Sequence, residues 1–181
     1  MRETERQLLL QIARESIRHG LERGTPAHVS SEDPELLRPG ASFVTLERQG
    51  ELRGCIGSLE PRQALIKDVA DNAFNAAFRD PRFPPLSRRE FDDIEIHISI
   101  LSPTEPMHFT SEEDLLGQLR PGIDGLVLQE GRQRGTFLPQ VWESLPAPVD
   151  FLNHLKRKAG LPMNYWSPSL RVDRYTVESI P

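Results

Sequence analysis

Cysteine is nearly absent: Cys55 is the only one in 181 residues. An internal disulfide is therefore excluded, and a lone thiol fits a reducing interior, so the cytoplasm is the expected location. Long apolar runs are also missing. None approaches the roughly 20 residues that span a bilayer, and Met1-Arg2-Glu3-Thr4-Glu5-Arg6 is charged where a secretory signal would turn apolar. No membrane segment is expected. Nor is there a basic surplus, since the net charge is −5 and the best cationic run, Lys156-Arg157-Lys158, is three residues at a helix end, where cations complement the dipole. That balance disfavours nucleic acid. GxGxxG after a strand and GxxxxGK[ST] are both lacking, so no nucleotide cofactor is expected. His19, His28, His97, His108 and His154 are scattered without ligand spacing, and no metal is expected. A site assembled from His97, Cys55 and a carboxylate is the one remaining route to a metal.

What is present is a chain of ordinary globular composition, 37% apolar and 27% charged, sized for one domain over 1–181. Residues 3–23 carry Leu8, Leu9, Ile12, Ile17 and Leu21 on one helical stripe, and Gly24 and Pro26 stop them. Prolines 26, 34 and 39 make 25–41 a loop. Ser42–Arg48 and Glu51–Ser58 read as a hairpin turning at Gln49-Gly50, with Val44 across from Cys55 and Leu46 across from Arg53. Apolar groups on both faces predict a hairpin internal to its sheet. A helix is expected from Pro61 to Arg79, with Leu65, Ile66, Val69, Ala73 and Ala77 inward and Lys67, Asp68, Asp71, Asn72 and Asn75 in water. The prolines of Asp80-Pro81-Arg82-Phe83-Pro84-Pro85 end it in a stiff corner. Ile94, Ile96, Ile98 and Ile100 alternate with polar residues as a strand. Then follow a helix from Ser111, a second hairpin over 125–138, a helix from Pro139, another from Pro148 or Asp150, and a last strand Leu170–Val177. Hairpins mixed with helices, without a repeating strand–helix unit, predict an α+β fold around a largely antiparallel sheet.

The chemistry centres on Leu52-Arg53-Gly54-Cys55-Ile56-Gly57-Ser58. On a strand, Arg53, Cys55 and Gly57 share a face, which gives the thiol a cation on one side and open space over Gly57 on the other. A single strand cysteine is often just a small buried hydrophobe. Cysteine catalysis further needs a histidine base in reach, and His97 is the best placed by pattern. Arg132 and Arg134, around a glycine turn, have the spacing to clamp a phosphate or carboxylate, against the plainer reading of an exposed hairpin tip.

Five blocks together, LRGCIGS (52–58), FRDPRFPP (78–85), IEIHISILSP (94–103), GLVLQEGRQRGTFLPQVWE (125–143) and FLNHLKRKAGL (151–161) with Trp166, resemble the AMMECR domain family in its prokaryotic AmmeMemoRadiSam form. The resemblance implies one AMMECR-type domain with a larger and a smaller lobe and a cleft between them. It also implies partners, namely a Memo-type protein and a radical S-adenosylmethionine protein; a small-molecule or peptide ligand is a separate expectation for the cleft. Residues carried over from the blocks are Arg53, Gly54, Cys55 and Gly57, then Arg79, Asp80 and Arg82, then Arg134, Gly135 and Gln140. Cys55 and Arg53 would be the catalytic pair, and the others with His97 would line the substrate site. The leading expectation is an enzyme or enzyme component. The rivals are a non-catalytic adaptor module and, behind it, an RNA-binding protein.

Overall fold

In the computed structural model, which describes residues 1–181, the chain forms two compact units, Met1–Leu101 with Glu178–Pro181, and Ser102–Val177. Each carries a sheet of largely antiparallel pairing with helices packed on it, which is the α+β class the order of elements implies.

In the first unit, α1 (Glu3–Arg23) buries Leu9, Ile12, Ala13 and Ile17 and ends at Gly24, whose φ of 72° closes the last turn. Strands β1 (Pro39–Arg48) and β2 (Glu51–Gly57) turn through Gln49 and Gly50, both at positive φ, as a two-residue hairpin of the right-handed twist requires. The sheet order is β2-β1-β4-β9, with β4 spanning Ile94–Leu101 and β9 Val177–Ile180. Helix α3 (Leu65–Phe78) and α1 share one core with Val44, Leu46, Ile94, Ile96 and Ile98. The isoleucine alternation of β4 therefore faces the helices, as its period predicts.

Several expectations need correction. The stretch 25–41 holds a short helix, α2 (Pro34–Leu37), capped by the Asp33 side chain, and β1 already begins at Pro39. The helix expected from Pro61 starts at Leu65, because Gln63–Ala64 (β3) first pairs with Pro39–Gly40. One further turn of helix, α4 (Arg88–Phe91), follows the proline corner, with Ser87 and Glu90 exchanging capping bonds. The last strand is two, β8 (Arg171–Tyr175) and β9.

The hairpin register also differs. The tight turn fixes Arg48 opposite Glu51 and Glu47 opposite Leu52, but Leu46 then pairs with Gly54 and Thr45 with Cys55. Arg53 is thus the extra residue of a β-bulge, so the strict alternation expected from Arg53 to Cys55 does not hold. β1 is the internal strand and β2 lies at the sheet edge. Asp68 and Asn72, expected in water, are buried. The Asp68 carboxylate accepts bonds from Ser42 N–H (2.8 Å), the Ser42 hydroxyl (2.7 Å), the Ser58 hydroxyl (2.8 Å) and the Asn72 amide (3.0 Å). Four donors satisfy a charge that would otherwise be costly to bury.

The second unit has the sheet order β5-β8-β6-β7, where β5 is Glu105–Pro106, β6 Gly125–Glu130 and β7 Gln133–Phe137. Helices α5 (Glu112–Gln118) and α6 (Pro148–Lys158) and a 3₁₀ turn at Pro139–Glu143 accompany it. Leu126, Leu128, Phe151, Leu152 and Leu155 form the core, and Trp142 stacks on Phe151 with ring centroids 3.8 Å apart. Lys156 is not a free helix-end cation. It is fully buried, and its Nζ donates to Glu112 at 2.7 Å.

Candidate functional site

Cys55 lies in the edge strand β2, half-buried, and both its backbone groups are held by the proline corner. Its N–H donates to Asp80 Oδ2 at 3.0 Å, and its carbonyl accepts from Arg82 Nη2 at 3.4 Å. Because that N–H is given to Asp80 and not to β1, Thr45 and Cys55 meet as a non-hydrogen-bonded pair, the type in which side chains approach most closely. The Thr45 hydroxyl accordingly donates to the sulfur at 3.2 Å. Two blocks of the sequence thus interlock, one supplying the strand and the other covering its open edge.

The corner owes its shape to Asp80. Its Oδ1 accepts the Arg82 N–H at 3.0 Å, a turn bond two residues along the chain, and the Arg82 guanidinium closes on the carboxylate at 2.7 Å. Asp80 is buried, and its carboxyl is held well below the usual carboxylate range, first by the Arg82 guanidinium and then by the Cys55 and Arg82 N–H groups. Arg82 is pushed up in turn, chiefly by its hydrogen bond to the Asp80 carboxylate. The cation beside the cysteine is therefore Arg82, and it comes already paired.

Arg53 does not serve the thiol in the way its sequence position suggests. Displaced by the bulge, it is buried and forms a two-pronged pair with Glu90 at 2.8 and 3.2 Å, while its Nη2 also donates to the Pro84 carbonyl at 2.8 Å. That pairing holds the Glu90 carboxyl down at about 2. Both Arg53 and Arg82 lie over the Phe83 ring, at 5.7 and 5.5 Å from its centroid. Arg79 stands apart, exposed over the Phe74 ring at 5.2 Å.

The glycines of the block admit backbone and ring, and neither opens space for a ligand. A Cβ on Gly54 would lie 2.1 Å from the Ala76 carbonyl oxygen, so the residue lets β2 press against α3. A Cβ on Gly57 would fall within 2.2 Å of the Phe43 ring, which fills the space the sequence left empty.

His97 is opposite Thr45 on β4, and Thr45 is opposite Cys55 on β2. The histidine is therefore on the thiol's face of the sheet but two strands away, about 10 Å by strand spacing. It is out of reach as a base, and its Nε2 faces Glu47 Oε2 at 3.5 Å and Glu95 Oε2 at 4.0 Å. One ligand atom from each of Glu47, Glu95 and His97 falls within 4.8 Å of the others, the one such grouping in the chain.

Arg134, Gly135 and Gln140 belong to the second unit. Gly135 lets β7 meet the end of α6, since a Cβ there would sit 3.0 Å from the Ala159 nitrogen. Arg134 and Gln140 are exposed, as is Arg132 at the hairpin tip. No helix is long and apolar enough to cross a membrane. Sequence reasoning missed Thr45, Glu90 and the Asp68 network. Ser87-x-x-Glu90 was a readable capping signal, whereas Thr45 became visible only through the bulged register.

The sequence model of the AMMECR1 family matches residues 10–180. A protein of Methanothermobacter thermautotrophicus is 38% identical over 177 residues, covering 94% of this chain and 90% of that protein. One from Thermotoga maritima is 42% identical over 149 residues, with 80% of each chain covered. The crystal structure of the uncharacterised protein PH0010 from Pyrococcus horikoshii superposes with a TM-score of 0.92 at 32% identity, covering 99% of this chain and 92% of that one.

Proposed function

The chain belongs to the AMMECR1 family, and from that membership and the geometry around Cys55 we propose an enzyme component that contacts its substrate through the thiol on the open face of the first unit's sheet. The observation that carries this reading is the thiol's own setting. It is half-buried, it accepts a hydrogen bond from Thr45, and the Asp80–Arg82 pair grips its backbone on both sides. A strand so fixed holds the sulfur in one position, as a contact group requires. Without a histidine in reach, Cys55 acts as a substrate contact, and a nucleophilic role requires a base supplied by the ligand or by a partner. The proposal keeps the Memo-type and radical S-adenosylmethionine partners that the family resemblance implies.

Protection tests it. Alkylation of Cys55 by N-ethylmaleimide, followed by intact mass, should slow in the presence of the substrate-bearing fraction of a small-metabolite extract. An Arg82→Ala variant, whose strand is gripped on one side less, should show weaker protection. If no fraction alters the rate, the contact role fails.

A second reading, a non-catalytic adaptor, has one observation in its favour: the cations nearest the cysteine are each neutralised by a carboxylate of the same unit. Under that reading Cys55→Ser leaves partner affinity unchanged.

A further inference from the structure

On the same sheet face, one and two strands away from Cys55, two glutamates stand opposite each other. Glu47 of β1 and Glu95 of β4 are direct cross-strand partners, and like charges in that position repel. Neither pairs with a lysine or arginine. The basic group within 4.0 Å of them is the partly exposed imidazole of His97, diagonal to Glu47, whose Nε2 atom is itself shielded from solvent and has no hydrogen-bond partner. Glu95 is largely exposed and Glu47 and His97 partly so; a cation among the three would relieve the repulsion between the carboxylates and give the ring nitrogen a partner.

We infer that Glu47, Glu95 and His97 form a binding site for a divalent first-row transition ion. The donor set is one imidazole nitrogen and two carboxylate oxygens, which suits zinc, cobalt, manganese or iron and leaves further coordination positions open. Metal–ligand distances of about 2.0–2.2 Å put neighbouring donors roughly 3.3 Å apart in a tetrahedron. The observed 3.5 and 4.0 Å from Nε2 reach that spacing by small rotations of glutamate side chains. His97 and Glu95 stand two apart on one strand, and Glu47 comes from the next, so backbone pairing presets all three donors before any ion arrives. Cys55 is too far across the sheet to be a ligand. The inference stands independently of any role for the thiol.

The test is a titration of the full chain with Co2+, read by visible absorption and by calorimetry, followed by competition with Zn2+. One equivalent should bind with ligand-field bands, and Zn2+ should displace it. His97→Gln should weaken that binding at least tenfold, and Glu47→Gln and Glu95→Gln should each weaken it by a similar factor. His154→Gln, in the other unit, should leave it unchanged. Circular dichroism and thermal midpoints of the metal-free variants establish that each is folded. Binding that survives His97→Gln, or that falls with His154→Gln, marks adventitious histidine binding and overturns the site. Failure to bind either Co2+ or Zn2+ also overturns it. Neither outcome touches the alkylation behaviour of Cys55.

Discussion

The Asp80 carboxylate accepts the backbone N–H of Cys55 at 3.0 Å, joining two sequence blocks 25 residues apart. One side chain thereby caps a sheet edge, anchors the proline corner and fixes the strand that carries the thiol. Asp80→Ala should cost about 2–3 kcal/mol, because it strands the Cys55 N–H and leaves Arg82 without its partner. Asp80→Asn, which keeps an acceptor but not the charge, should cost less. Urea unfolding of the two variants beside the parent protein checks the order.

Gly54 and Gly117 make a controlled pair. A methyl at Gly54 meets the Ala76 carbonyl, and neither strand nor helix can yield, so Gly54→Ala should destabilise by about 3 kcal/mol or more. Gly117, in α5, has nothing within 4 Å of the same methyl, and Gly117→Ala should stabilise by about 0.5 kcal/mol through helix propensity. Thermal midpoints shifting in the same direction for both would contradict this packing account.

Ser58 closes the block by donating to Asp68, so the position requires a hydroxyl. Ser58→Ala should cost about 1–2 kcal/mol by leaving a buried carboxylate oxygen without that donor, while Ser58→Thr should be tolerated. Chemical denaturation distinguishes the two.

Acid should loosen the first unit through Glu90. Its carboxyl is lowered from 4.5 to about 2 in the fold by Arg53. A depressed carboxylate contributes stability that is complete above its unfolded value and is lost as pH falls through the folded one. The loss attributable to Glu90 should therefore run from about pH 4.5 down to about 2. Between pH 7 and pH 3, Glu90→Gln should lose less stability than the parent protein. Asp80 titrates in the same sense and keeps part of the slope in that variant.

Periodicity made much of the fold legible. The α1 stripe, the isoleucine alternation of β4, the Gln49-Gly50 turn and the stop at Pro81 all depend on local pattern, and local pattern is written in sequence. The site was less legible because its geometry comes from pairing. One inserted residue at Arg53 moved the cation off the thiol and gave it to Glu90, 37 residues away. Asp68 and Asn72 looked like wet-face residues because a helical stripe reports polarity and says nothing of whether two serine hydroxyls lie across from it. Glu47 and His97 are 50 positions apart, a separation that no ligand-spacing motif spans.

The account rests on the Cys55 thiol being reachable in the folded chain. Intact-mass detection of iodoacetamide labelling at neutral pH, across urea concentrations below the unfolding transition, tests that directly. The predicted result is a single adduct at Cys55 without denaturant, at a rate that does not rise with urea. Labelling that appears only as the protein unfolds would contradict it.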